Sequence, residues 1–192
     1  MSGQRTIGVF CSSSDAVESR YRSAAKTLGM GIAEGGHSLV YGGGGIGLMG
    51  VLAESVQRHG GRVVGVLPEA MRTEEIVYQQ ADELIVTKTM RERKDVMDQR
   101  SDAFVALPGG FGTLEELLEV LTHRQLRYHS KPIIIVNSAD YYDPLIRLFD
   151  HLIEHGFAKP RHRDAFAIVS SVEHVISRIE NELRGRRAGR AV

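Results

Sequence analysis

Phe104-Val-Ala-Leu-Pro-Gly-Gly-Phe-Gly-Thr113 is the stretch that decides the fold. Its first four residues are apolar without alternation, as in a strand buried on both faces. Pro108 and the two glycines after it end the strand, and Thr113-Leu-Glu-Glu-Leu-Leu118 opens a helical pattern. Ile133-Ile-Ile-Val136 is a second unbroken run of the same kind. Buried strands that feed helices through short turns belong to a parallel sheet covered by helices.

Outward from that stretch the alternation holds along the chain. Strands are expected at Thr6–Cys11, Ser38–Tyr41, Arg62–Leu67, Glu83–Thr87, Ala103–Leu107, Pro132–Asn137 and Ala167–Val169. Helices are expected at Glu18–Glu34, Gly47–His59, Met90–Arg100, Thr113–Tyr128, Asp143–His155 and Val172–Arg184. The fold class is therefore α/β: a Rossmann-like, mostly parallel sheet with helices on both faces, in one domain. With 192 residues there is room for one such domain and not for two. It is placed at residues 1–185. Residues 186–192 read as a basic flexible tail, in which Arg186, Arg187 and Arg190 follow Arg184 beside Gly185 and Gly189.

Formal net charge is zero, so no global field favours nucleic acid or a membrane surface as partner. Met1–Thr6 has no apolar run of signal-peptide or membrane-span character. Cys11 is the one cysteine, which excludes a disulfide within the chain and suits a reducing, cytoplasmic compartment. The eight histidines show no H-E-x-x-H spacing, and no metal site is expected.

In open parallel sheets ligands sit at the carboxyl ends of strands. That directs attention to Cys11–Ser14, Gly42–Gly47, Pro68–Glu75 and Pro108–Thr113. Within Tyr41-Gly-Gly-Gly-Gly-Ile-Gly-Leu-Met-Gly50, Gly45, Gly47 and Gly50 match the dinucleotide fingerprint G-x-G-x-x-G. Ligand contact is preferred there over close chain packing, though the glycines serve either. The second loop, Gly109-Gly110-Phe111-Gly112-Thr113, lacks the Gly-Lys-Ser/Thr of a Walker loop. Free amides and the helix dipole at such a turn suit a phosphate.

Glu116, three residues after Thr113, has two readings. It could complete a capping box with Thr113 as N-cap, or place a carboxylate beside a sugar whose phosphate the loop holds. In Met90-Arg-Glu-Arg-Lys-Asp-Val-Met97 the residues Met90, Arg93, Lys94 and Met97 share one helix face, expected to point inward. Arg93 is then either a structural ion-pair partner or a group that reaches a phosphate or leaving group. Arg91 and Asp95 are expected to pair on the outer side. Glu69, Glu74 and Glu75 read as a solvated loop, and His37, His59 and His155 as C-terminal helix caps.

Three motifs in this order resemble the Lonely Guy family, the cytokinin riboside 5′-monophosphate phosphoribohydrolases, whose members have also been labelled possible lysine decarboxylases. They are Tyr41-Gly-Gly-Gly-Gly-Ile-Gly-Leu-Met-Gly50, Met90-Arg-Glu-Arg-Lys94 and Pro108-Gly-Gly-Phe-Gly-Thr-Leu-Glu-Glu116. The resemblance implies hydrolysis of the N-glycosidic bond of a purine nucleoside 5′-monophosphate to free base and ribose 5-phosphate, with no cofactor. It assigns the essential pair to Arg93 and Glu116. Nucleotide contacts fall to Lys94, Gly109, Gly110, Phe111, Gly112, Thr113, Leu114 and Glu115, with Glu75 from the middle loop and Thr122 further along the helix.

One departure from the family pattern is Ser12, where the first-strand loop often has glycine. No lysine stands out as a pyridoxal phosphate anchor, so the decarboxylase label finds no support. A small-molecule nucleotide is the expected partner. A symmetric homodimer is expected both from the resemblance and from the apolar face of Leu117, Val120 and Leu121. The rival readings are a nucleotide sensor or carrier without turnover, and an NAD-dependent dehydrogenase, for which the chain has no room for a substrate domain.

Overall fold

The described residues, 3–73 and 76–189 of a computed structural model with side chains as far as 185, alternate strand and helix except between the third and fourth strands, which only a short 3₁₀ turn separates. They run β1 (Thr6–Phe10), α1 (Ser19–Glu34), β2 (Ser38–Tyr41), α2 (Gly47–Arg58), β3 (Val63–Pro68), β4 (Glu83–Thr87) and α3 (Met90–Arg100). Then come β5 (Ala103–Ala106), α4 (Phe111–Gln125), β6 (Ile133–Val136), α5 (Asp143–Glu154), β7 (Ala167–Val169) and α6 (Val175–Gly189). The seven strands form one sheet in the order β4-β3-β2-β1-β5-β6-β7. Every strand pair in it is parallel.

The unbroken apolar runs occupy the middle of this sheet. Ile133, Ile134, Ile135 and Val136 are fully buried, as are Val105 and Ala106. Alternate residues feed two cores. On one face Ile7, Val9, Leu39 and Val105 pack with Leu28 and Ile32 of α1, Leu52 and Val56 of α2, and Ile179 of α6. On the other, Phe10, Val40, Phe104 and Ile135 pack with Met97 of α3, Leu117 and Val120 of α4, and partly buried Phe149 of α5. Burial of this kind stabilises by about 25 cal/mol per Å² of apolar surface, which is why both faces need helices.

The chain builds outward from β1 through β2 to β4, then returns to the other side of β1 with β5. Strand order therefore reverses between β1 and β5, and a crevice opens at their carboxyl ends. The loops after β1 and β5 meet there, where the Ser12 amide donates to the Pro108 carbonyl at 3.3 Å.

Two helices differ from expectation by more than a residue. α4 starts at Phe111 rather than Thr113, with Gly110 as N-cap. It ends at Gln125 because Arg127 adopts φ 65°. The Arg127 amide bonds the Arg124 carbonyl and the Tyr128 amide the His123 carbonyl, a Schellman ending built without glycine. α6 runs on to Gly189, past the expected Arg184. The side chains of 186–189 and residues 190–192, which held most of the expected tail, lie outside the described residues. So do Glu74 and Glu75.

Candidate active site

At the β1/β5 switch point the α4 N-terminus is open. The Leu114 amide bonds back to Gly110 at 3.0 Å, while the Phe111, Gly112 and Thr113 amides have no partner among the described residues. Gly110 offers no side-chain cap. Three N–H groups and the positive end of the helix dipole therefore face outward, the arrangement that binds a phosphate.

The loop is held from behind. Tyr141 donates its hydroxyl to the Gly109 carbonyl at 2.8 Å, and Tyr142 to the Leu107 carbonyl at 2.6 Å. Thr113 is buried against Gly109, where an added Cβ would lie 2.1 Å from Thr113 Oγ1. Phe111, at the first helical position, is 93% exposed.

One turn further, Glu116 meets Arg93. Guanidinium Nη1 lies 2.5 Å from Glu116 Oε1, and Nε donates to the Val66 carbonyl at 3.0 Å. Arg93 is 7% exposed and Glu116 6%. The capping-box reading of Glu116 is thereby replaced: with the helix starting at Phe111, Thr113 lies inside it, and the carboxylate points to Arg93 instead of back to the N-cap. A cap of the kind foreseen exists one motif earlier. Thr89 accepts from the Glu92 amide at 3.1 Å, and the Glu92 carboxylate accepts from the Lys88 amide at 2.8 Å. That cap fixes the start of α3 and so the direction in which Arg93 leaves it.

Burial pushes the Glu116 carboxyl up from its ordinary value, and Arg93 opposes the shift. Burial also pushes the Cys11 thiol far up, and the Glu116 charge adds to it. Cys11 is therefore a protonated core residue and no nucleophile.

Lys94, the next residue on α3, reaches Glu115 and, at 2.9 Å, Glu119. Burial works to lower its ammonium pKa, but the two carboxylates outweigh burial and raise it. A Schiff-base lysine needs the opposite shift, so the residues here do not fit pyridoxal phosphate. The inward face expected of α3 is corrected in part. Arg93 and Met97 are buried, but Met90 is exposed, with its sulfur 3.6 Å from Arg93 Nη1. No ion pair joins Arg91 and Asp95 among the described residues; Asp95 borders a groove with Lys94, Asp98 and Glu119.

The first glycine loop is given to packing, which corrects the preference for ligand contact. The α2 N-terminal amides are already used: Gly47 donates to Asp15 Oδ1 at 3.1 Å, and Leu48 and Met49 to the Ser12 carbonyl. Gly47 takes φ 63° against the Ser13 backbone, and a Cβ on Gly50 would lie 2.2 Å from the Gly45 carbonyl oxygen. Gly42 does reach the site, because a Cβ there would stand 2.4 Å from Arg93 Nη2. Sequence reasoning missed that link, the Val66 carbonyl and the two tyrosines behind the loop. All three are contacts between segments far apart in the chain.

Gly109 to Glu116, Arg93 and Lys94 are thus brought together. Thr122 lies two turns beyond Glu115 on the same helix face, exposed along a groove it shares with Glu115 and Glu119, with its hydroxyl donating to the Leu118 carbonyl at 2.7 Å. Glu75, among residues 74–75, is outside the described residues. His59 and His155 cap α2 and α5 through Nδ1 contacts to the Ser55 and His151 carbonyls, at 2.8 and 3.0 Å. His37 does not cap with its side chain; the buried ring faces Glu180 of α6, 3.5 Å away.

Comparison with known proteins adds four findings. A family model described as "Possible lysine decarboxylase" matches residues 49–179. The chain is 42% identical over 176 residues to "Probable cytokinin riboside 5′-monophosphate phosphoribohydrolase LOGL5" of Oryza sativa subsp. japonica, covering 92% of this chain and 72% of the relative. It is 40% identical over 176 residues to "Cytokinin riboside 5′-monophosphate phosphoribohydrolase LOG3" of Arabidopsis thaliana, covering 92% and 82%. Among solved structures, the molybdenum cofactor binding protein of Rippkaea orientalis superposes with TM-score 0.75 at 25% identity, over 95% of this chain and 99% of that one.

Proposed function

We propose a function from one premise: this chain belongs to the Lonely Guy (LOG) family of cytokinin riboside 5′-monophosphate phosphoribohydrolases. The proposed reaction is hydrolysis of the N-glycosidic bond in purine nucleoside 5′-monophosphates, AMP as well as its N6-modified cytokinin forms. The observation that carries this reading is the buried Arg93–Glu116 pair, 2.5 Å apart, one turn from the open amides of α4.

The Phe111, Gly112 and Thr113 amides take the 5′-phosphate, with Gly109 and Gly110 shaping the turn. Leu114, Glu115 and Lys94 border the nucleotide, Thr122 lies further along α4, and the family resemblance adds a contact from Glu75. Held by its phosphate, the ribose lies with C1′ near Glu116. As the C1′–N bond breaks, its electron pair leaves with the base and positive charge develops on the sugar, which the carboxylate opposes. Water attacks C1′ and its proton passes to Glu116; the departing base takes a proton on nitrogen and Glu116 gives one up, so one water is consumed and the carboxylate is restored. Arg93 orients the carboxylate and keeps it ionised against the pull of burial.

The working form is proposed to be a homodimer in the cytoplasm. The residues expected to carry the interface are corrected: Leu117 and Val120 are buried within the protomer. The apolar surface on offer lies between α4 and α5, where Leu118 is 44% exposed beside Leu121, Phe149, Leu152 and Ile153. Light scattering at assay concentration should give twice the chain mass; a fully active monomer would count against it.

The deciding experiment incubates the protein with AMP, isopentenyl-adenosine monophosphate and adenosine, and follows free base. Both nucleotides should release base, and adenosine far less. Comparable kcat/KM for adenosine and AMP would refute the phosphate assignment. Tight nucleotide binding without any release would favour a carrier.

A further inference from the structure

The last turn of α5 and its C-cap read His151-Leu-Ile-Glu-His155 and place three metal-type donors on one exposed face. A ring nitrogen of His151, one of His155 and a carboxylate oxygen of Glu154 all lie within 4.8 Å of one another. Two histidines four residues apart share a helix face, and the rings stand with centroids 4.0 Å apart.

The tautomer of His155 is set by its neighbour. Nδ1 lies 3.0 Å from the His151 carbonyl oxygen. A carbonyl only accepts, so Nδ1 carries the hydrogen and the lone pair is on Nε2. Metal-binding histidines are oriented in the same manner, with the other ring N–H on a backbone carbonyl. Charge also favours a cation here. Asp143 and Asp150 of α5 are paired with Arg147 and Arg163, whereas Glu154 has no ion pair among the described residues. The negative end of the helix dipole lies at the same turn.

We propose that this turn is a binding site for a borderline divalent metal ion, Zn²⁺ or a close relative, held by His151, His155 Nε2 and Glu154. Nitrogen and carboxylate donors suit such ions better than magnesium or calcium. Tetrahedral Zn²⁺ at ~2.0–2.1 Å from each ligand needs donors roughly 3.3 Å apart, so donors that lie within 4.8 Å of one another must close by at most about 1.5 Å. Three protein ligands leave the fourth position for water or a donor from another molecule. The expectation of no metal site rested on H-E-x-x-H spacing; here the order is His-x-x-Glu-His.

The site is separate from the chemistry. β6 and β7 are parallel, so α5 between them runs back across the sheet. Its C-terminus lies at the edge opposite the loop of Gly109–Thr113.

The test titrates tag-free protein with Zn²⁺ by calorimetry and records the visible spectrum with Co²⁺. The wild type should bind one equivalent with tetrahedral cobalt bands. His151→Ala should weaken binding by ~10-fold or more and lose those bands, as loss of a ligand does at such sites. Glu154→Gln should weaken it too, and neither change should alter base release or melting temperature in the absence of metal. No stoichiometric binding by the wild type, or unchanged affinity in His151→Ala, would overturn the proposal.

Discussion

Glu116→Gln separates what the buried carboxylate does for stability from what it does for turnover. Deleting one partner of a buried ion pair outright costs ~3–5 kcal/mol, because a charge is left without compensation. Glutamine is gentler. Its amide oxygen can still accept from Arg93 Nη1, and Arg93 keeps its bond to the Val66 carbonyl at 3.0 Å. What is lost is the charge assistance, which roughly halves a bond worth ~1.5–3 kcal/mol. Against that, the wild-type carboxylate is strained by burial, and the neutral amide escapes that cost. The expected loss is about 1 kcal/mol, a fall of ~2–4 °C in Tm for a chain of this size. Turnover should fall far more, by ~10²-fold or beyond, because no carboxylate remains to oppose the charge on the ribose. Tm, AMP binding and adenine release are measured on one preparation. A Tm loss of this size with binding retained and release almost abolished is the expected outcome. Release near the wild-type rate would show that Glu116 only anchors Arg93, and the mechanism would be wrong.

Other consequences follow from the same geometry. Gly42→Ala puts a Cβ 2.4 Å from Arg93 Nη2, so it should push the guanidinium aside and lower kcat by ~10²-fold with a smaller effect on KM; an unchanged kcat would mean that Arg93 tolerates the shift. The acid limb of kcat/KM should lie above the ordinary glutamate value of 4.5, since burial raises Glu116 and the ionised form is the one required; a limb at or below 4.5 would contradict it. His37 is held below its ordinary 6.5 by burial. Its folded-state pKa is depressed, so it supports stability above pH 6.5 and that support is lost as pH falls. Tm should therefore drop on the acid side, and less in His37→Gln; parallel curves for the two proteins would assign the drop to other groups.

Most of the fold was legible because its signals are local. Continuous apolar strands and amphipathic helices alternate, and Ser38–Tyr41, Glu83–Thr87, Met90–Arg100 and Ala167–Val169 have the expected bounds. α4 was misjudged at both ends for one reason: its caps carry no recognisable side chain. Gly110 caps by backbone alone, and Arg127 takes the left-handed position that sequence reading reserves for glycine. The two-residue error at the start of α4 then bred the false capping box, since it promoted Thr113 to N-cap. The Thr89–Glu92 cap has the same spacing and is the one that forms.

The two glycine loops show where local reading ends. Each leaves a parallel strand, turns on glycines and opens a helix, so each presents the same case for an anion. The difference lies in what comes from elsewhere in the chain. At α2, Asp15 and the Ser12 carbonyl occupy the amides that a phosphate would need. At α4, Ser12, Tyr141 and Tyr142 bond the carbonyls of Pro108, Gly109 and Leu107, and the Phe111, Gly112 and Thr113 amides stay open among the described residues. Carbonyls of the loop are thus satisfied from inside while its donors face outward. The first loop still serves the site, because Gly42 makes room for the guanidinium that Glu116 engages. One glycine run therefore makes room for the Arg93–Glu116 pair and the other leaves its amides open, a division that only the long-range contacts decide.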